Sequence, residues 1–198
     1  MPREFYARRT LTVARELIGM HLVRNFRGKN LTGRIVEVEA YQGPQDLAAH
    51  SARGKTDRNA VMFGPPGFAY VYLIYGMWDC VNIVTREEGV PHAVLIRAVE
   101  PITNIKHKTW GPGLLCKAMR IDRSLNGTDL CGRTLWIETP ENFNCSKIAR
   151  APRIGVDYAG DWAYKPWRFF DRDSPYVSTV SAATRRLALQ SQRLQERD

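Results

Sequence analysis

Gly33-Arg34-Ile35-Val36-Glu37-Val38-Glu39-Ala40-Tyr41 is the stretch that decides the fold. Its β-branched residues and tight alternation predict a strand with Ile35, Glu37, Glu39 and Tyr41 on one face. Two carboxylates and an aromatic then share a surface. Taken alone, a Glu-Val-Glu most simply belongs to the solvated face of an edge strand. The residues around it argue for more.

Upstream, residues 10–18 place Leu11, Ala14, Leu17 and Ile18 at helical spacing with Gly19 as C-cap, so a short amphipathic helix opens the chain. Residues 21–26 and 32–41 read as an antiparallel pair joined by a turn at Gly28-Lys29-Asn30. Downstream, residues 42–63 are polar and irregular, a long surface loop of the kind that usually carries function. Gly64-Pro65-Pro66-Gly67 introduces a strand at 68–75, Gly76 turns the chain, and 80–85 returns as the second arm of a hairpin with Tyr75 and Met77 near its tip. A buried strand at 93–99 is interrupted by Arg97; 112–121 is helical; 135–138 and 176–180 are further short strands. Residues 181–198 form a polar, arginine-rich helix or tail.

With 198 residues, 44% of them hydrophobic, the chain is long enough for one sizeable core, and a single domain over 1–198 is expected. Lys and Arg number 29 against 20 Asp and Glu, a formal net charge of +9 that favours a polyanionic partner. The cations are scattered, which suits a folded binding face better than a basic tail. Cys80, Cys116, Cys131 and Cys145 are widely spaced without a Cys-x-x-Cys pair, so zinc and iron–sulfur sites are not indicated. Nothing has a signal peptide's order, and no apolar run approaches the roughly 20 residues of a membrane helix. A cytosolic protein that works on DNA, without contact with a membrane, is the expectation.

Gly54-Lys55-Thr56 resembles the end of a phosphate loop, but Ala49 stands where its first glycine is required. The signatures of metalloproteases, serine hydrolases and zinc deaminases are absent. What remains is a set of aromatic side chains, Tyr41, His50, Tyr72 and Tyr75, in one span with Glu39. A carboxylate beside stacking surfaces, in a basic chain, points to acid–base chemistry on an extruded nucleic-acid base.

The order Glu39-Ala40-Tyr41-x-Gly43-Pro44-x-Asp46-x-Ala48-Ala49-His50-Ser51, then Arg58-Asn59, Met62-Phe63, Tyr70-Val71-Tyr72-x-Ile74-Tyr75-Gly76-Met77 and Asn82, closely resembles the alkyladenine (3-methylpurine) DNA glycosylase family. The resemblance continues through Leu95-x-Arg97-Ala98-x-Glu100-Pro101, Gly111-Pro112, Leu115-Cys116, Arg153-Ile154-Gly155-Val156 and Ala159-Gly160-x-Trp162-Ala163 to Ser174-Pro175-Tyr176-Val177-Ser178. It implies an α+β domain with a curved antiparallel sheet, surrounding helices and a protruding DNA-intercalating hairpin. It also implies a monomer that removes damaged purines from double-stranded DNA without a metal or other cofactor. The start of the chain, close to the first matching residues, resembles bacterial members.

Roles carry over by position. Glu39 matches the general base that activates the water attacking the sugar C1′, where a carboxylate also stabilises developing oxocarbenium charge. Arg97 matches the arginine that helps hold that water, with an ion pair to Glu37 or Glu39 as its structural alternative, and Ile154 matches the residue whose carbonyl completes the water site. Tyr41, His50 and Tyr72 match the walls of the base pocket, with Tyr41 and His50 on one side and Tyr72 on the other. The His50 amide then selects hypoxanthine and ethenoadenine over adenine, and Asn82 excludes guanine through its 2-amino group. Tyr75 matches the wedge that fills the vacated stack, supported by Met77 and Trp78. Arg53, Lys55 and Arg58 are candidates for phosphate contacts. With Glu39 rather than a lysine at the chemical position, base release without strand cleavage is expected for 3-methyladenine, 7-methylguanine, hypoxanthine and ethenoadenine. The competing class is a non-catalytic binder of damaged or distorted DNA.

Overall fold

β-Branched and alternating runs build an eight-stranded sheet, antiparallel at every pairing, in the computed structural model, which describes residues 1–143 and 147–178. Its strands are β1 (His21–Phe26), β2 (Lys29–Gln42), β3 (Ala69–Ile74), β4 (Trp78–Thr85), β5 (His92–Thr103), β6 (Leu135–Glu138), β7 (Ile148–Ala151) and β8 (Arg168–Asp171). The main path runs β3-β4-β5-β2-β1-β6, and β8 joins β2 while pairing with β7. The sheet curls into a half-barrel. Among the described residues three α-helices, α1 (Arg3–Tyr6), α2 (Thr10–Leu17) and α3 (Pro112–Ala118), accompany it, and the fold is α+β.

The decisive stretch lies in β2, the longest strand, and β2 is not an edge. It pairs with β5 along its length, with β1 over its first half and with β8 at Glu37, Val38 and Glu39. Residues 35–40 are therefore wholly buried, glutamates included. The single-face alternation expected for Ile35, Glu37 and Glu39 is corrected by two β-bulges. Ile35 pairs with Val99 and Glu37 with Ala98, leaving Val36 as an extra residue on β2; Val38 then pairs with Ile96, leaving Arg97 as an extra residue on β5. Ile35 consequently joins Val38 and Ala40 in the main apolar core, while Glu37 and Glu39 face an ionic cluster.

Other boundaries shift for local reasons. The β1–β2 turn is Arg27-Gly28, both at positive φ, because Lys29 already pairs with Phe26. α2 ends at Leu17, one residue early, and α3 ends at Ala118. The strand expected at 176–180 is absent from its described part: Tyr176 N–H donates to Ser174 Oγ and Ser178 N–H to Glu37 Oε2 at 2.8 Å, so these donors serve a turn and an ionic cluster. Residues 179–198, including the tail, and Cys145 lie outside the described residues.

Thr10, the first residue of α2, is within hydrogen-bonding distance of Thr85 Oγ1 at 3.0 Å and His92 Nδ1 at 2.8 Å, tying the helix to β4 and β5. Burial, and secondly the charge of Arg86, lower the His92 pKa from its ordinary 6.5. Because the unfolded chain takes up this proton near pH 6.5 and the folded chain resists it, His92 leaves stability intact above that pH. It erodes stability as pH falls from there towards the folded value. The melting temperature is expected to fall from about pH 7.5 to about pH 5.5, and less steeply in His92→Gln. Parallel pH profiles in the two proteins refute this linkage.

Candidate active site

Glu39 is wholly buried and held by three donors. Its Oε1 accepts the Ile154 amide at 2.7 Å, and its Oε2 accepts the Tyr41 hydroxyl at 2.8 Å and Arg97 Nη1 at 3.4 Å. Glu37 accepts Arg168 Nη1 and the Ser178 amide, each at 2.8 Å, and lies 3.6 Å from Arg97 Nε. Arg97 therefore bridges both carboxylates. Burial alone lowers an arginine's pKa, but the two glutamates more than offset this, so Arg97 is held more firmly protonated than usual. The bulge at Arg97 is what aims its guanidinium across to β2.

Above this cluster a cavity of about 400 Å³ opens, lined by Tyr41, His50, Tyr72, Asn82, Arg97 and Ile154 among others. β2, β3, β4 and β5 supply Tyr41, Tyr72, Asn82 and Arg97 in turn, and loops supply His50 and Ile154. Asn82 is buried, with its amide donating to the Tyr70 carbonyl at 3.1 Å. Asn59 fixes the His50 segment by donating to the His50 carbonyl at 3.0 Å, and His50 Nδ1 meets the Tyr70 hydroxyl at 3.0 Å. Loss of hydration where the ring packs into this wall, and secondly the charge of Arg58, lower the His50 pKa, favouring its neutral ring.

The allocation of walls differs from expectation. His50 and Tyr72 rings lie edge to face with centroids 4.3 Å apart, too close for a base to enter between them. They form one wall, reinforced by Tyr70 stacked on Tyr72, and Tyr41 stands apart from them. Tyr41 is backed instead by Arg153, whose guanidinium carbon is 4.7 Å from its ring centre. Burial, with the Glu39 charge second, raises the Tyr41 pKa far above its ordinary value, so its hydroxyl remains a donor to Glu39.

Tyr75 and Met77 sit in the β3–β4 turn, 84% and 68% exposed. Both Tyr75 (φ 52°) and Gly76 (φ 70°) occupy the left-handed region, and the Met77 amide closes the turn on the Ile74 carbonyl at 3.2 Å. For a bulky residue such a φ is strained, a recurring mark of functional positions. Arg53, Lys55 and Arg58 are exposed. Arg58 is nevertheless anchored, donating to the Leu73 carbonyl at 2.8 Å, and lies 5.7 Å from the Tyr72 ring centre.

Sequence reasoning missed three parts. Asp46 and Arg153 form a wholly buried bidentate pair, with Nη2 to Oδ1 at 2.9 Å; Arg153 also donates to the Ala40 and Trp162 carbonyls. Tyr158, 73% exposed, stands at the cavity rim. Tyr70 braces His50. Asp46, Arg153 and Tyr70 lay inside quoted motifs and Tyr158 between two of them, yet nothing local distinguishes a bracing residue from its neighbours.

The model of the methylpurine-DNA glycosylase family matches residues 4–175. This chain belongs to that family. A relative from Legionella pneumophila (strain Corby) is 54% identical over 178 residues, covering 90% of this chain and 97% of its own length. One from Methanocella arvoryzae is 51% identical over 192 residues, covering 90% and 95%. One from Anaeromyxobacter dehalogenans (strain 2CP-1) is 52% identical over 179 residues, covering 90% and 85%. Each of the three carries the provisional name 3-methyladenine DNA glycosylase. Among the described residues, no helix of this glycosylase-family chain is long and apolar enough to cross a membrane.

Removing one member of a buried pair strands the other's charge. Asp46→Ala is expected to destabilise the fold by about 3–5 kcal/mol, read by denaturant unfolding, since Arg153 has no access to water. A loss below about 1 kcal/mol contradicts the assignment of this pair as a buried strut.

Proposed function

We propose that this protein is a monofunctional DNA glycosylase of base excision repair. It flips a damaged purine out of duplex DNA into the cavity, and a water activated by Glu39 hydrolyses the N-glycosidic bond, leaving an abasic site. The observation that carries this reading is Glu39 itself. It is a carboxylate with no exposure of its own, oriented by three donors, Tyr41, Arg97 and Ile154, which themselves line an aromatic cavity.

In this reading the carboxylate takes the water's proton as the water attacks C1′, and its charge faces the oxocarbenium character developing on the sugar. The Ile154 amide and the Tyr41 hydroxyl hold the carboxylate in place, so little reorganisation accompanies the reaction. Arg97 and the Ile154 carbonyl hold the water. The base stacks between Tyr41 on one wall and His50 with Tyr72 on the other, while Asn82 disfavours guanine's 2-amino group; 7-methylguanine is released in spite of that group because its positive charge makes it a ready leaving group. Tyr75 fills the gap left in the helix, backed by Met77 and Trp78, and Arg53, Lys55 and Arg58 meet phosphates. The product strand stays intact, because the attacking group is water and no lysine amine forms a Schiff base.

The substrates proposed are 3-methyladenine, 7-methylguanine, hypoxanthine and ethenoadenine in double-stranded DNA, and the protein acts as a monomer in the cytosol. Single-turnover base release from duplexes carrying one hypoxanthine or one ethenoadenine, scored by alkali cleavage of the abasic product, tests the reading. Wild type should release the base, leaving no nick before alkali, and Glu39→Gln should be slower by at least about a thousandfold. Tight lesion binding without release from these duplexes or from methylated DNA, in either protein, replaces this mechanism with damage recognition alone.

A further inference from the structure

Tyr41 has two faces in different electrostatic surroundings. One looks into the cavity. Against the ring also lies the guanidinium of Arg153, a side chain with no exposure, outside the cavity lining, 4.7 Å from the Tyr41 ring centre and 5.1 Å from that of Trp167. The cation thus lies over two aromatic rings and outside the cavity lining. Asp46 holds both its terminal nitrogens, and the Ala40 and Trp162 carbonyls take further bonds, so its position is fixed.

A cation on one face of an aromatic ring draws electron density towards itself and weakens the negative potential on the other face. A base stacked on the open face also feels the guanidinium one ring beyond, through a medium that screens poorly. Asp46 offsets part of that field but lies on the guanidinium's nitrogens rather than on the ring. An aromatic cage normally favours cationic guests. This one has its attraction for them reduced from behind.

We infer that Arg153 is a specificity-determining residue, which lowers the pocket's preference for cationic alkylpurines relative to neutral purine lesions of the same shape. The inference rests on the reading of Tyr41 as a wall of the base pocket. Arg153 touches no substrate and acts through the Tyr41 ring.

The test compares two guests that differ in charge alone and lack the 2-amino group that Asn82 disfavours: 3-methyladenine, a cation, and its neutral isostere 3-deaza-3-methyladenine. Each is carried on a 2′-fluoro sugar, which resists hydrolysis, and placed opposite an abasic site so that no base pair is broken. Dissociation constants are measured for wild type and for the charge-neutral double variant Asp46→Asn/Arg153→Gln, with thermal unfolding confirming a folded variant. Wild type should bind the neutral guest at least as tightly as the cation, and the double variant should shift the ratio about fivefold towards the cation. A clear cation preference in wild type overturns the inference, and so does a folded variant in which both constants weaken equally, the signature of a strut. Should the variant fail to fold, the wild-type ratio decides alone. If wild type binds neither guest better than an undamaged duplex, the pocket reading fails and takes this inference with it, a result distinct from an altered ratio.

Discussion

Two carboxylates on a strand without access to water must be neutralised, and much of the architecture answers that constraint. A lone ionised side chain in such a place is prohibitively unfavourable, so Glu37 and Glu39 require cations and amide donors from elsewhere in the chain. Arg97 comes from β5, Arg168 from β8, and amides from Ile154 and Ser178. These donors lie between 58 and 141 residues away in sequence. Strand order and the docking of the segment after residue 147 are thereby coupled to one another through β2. Buried ion pairs of this kind add little net stability, yet an unmatched partner is strongly penalised, so the cluster selects one arrangement over its competitors.

The aromatic half of the site follows a different logic. Its walls are held from behind: Tyr70 and Asn59 hydrogen-bond to His50, Glu39 accepts the Tyr41 hydroxyl and the Arg153 guanidinium lies over the Tyr41 ring. Rings fixed from the rear present a cavity face that is already arranged, which lowers the entropy lost when a planar guest enters. Strands carry most of these rings and loops carry the rest, so rigid pleats set the distances and the loops set the finer contacts.

Much of this was legible in the sequence because period-two alternation, β-branched residues and Gly-rich turns report local geometry directly. The β1–β2 and β3–β4 pairs and the helices near Thr10 and Pro112 were readable in this way. The bulges were not, since Val36 and Arg97 look like ordinary strand residues until their partners are known. The same limit hid the central position of β2: a Glu-Val-Glu reads as solvated unless Arg168 and Arg97 are seen to meet it. The placement of His50 with Tyr72 depended on a Tyr70 bond spanning 20 residues, and the Asp46–Arg153 pair spans 107. Charge pairing over such separations leaves no periodic trace.

The paired bulges also make the middle of β2 a matter of parity. Between Ile35 and Glu37 the chain spends one surplus residue, which is why apolar side chains before the bulge and after it land in the same core while the acids land opposite. Losing or gaining a single residue here exchanges the two faces, sending carboxylates into hydrocarbon and valines into the ionic cluster. Changes in length along this segment are therefore confined to even steps or to compensating changes on β5. Uncompensated single-residue insertions and deletions, ordinarily the easiest variation for a surface loop to absorb, are closed to evolution at this point while substitutions of matching shape stay open.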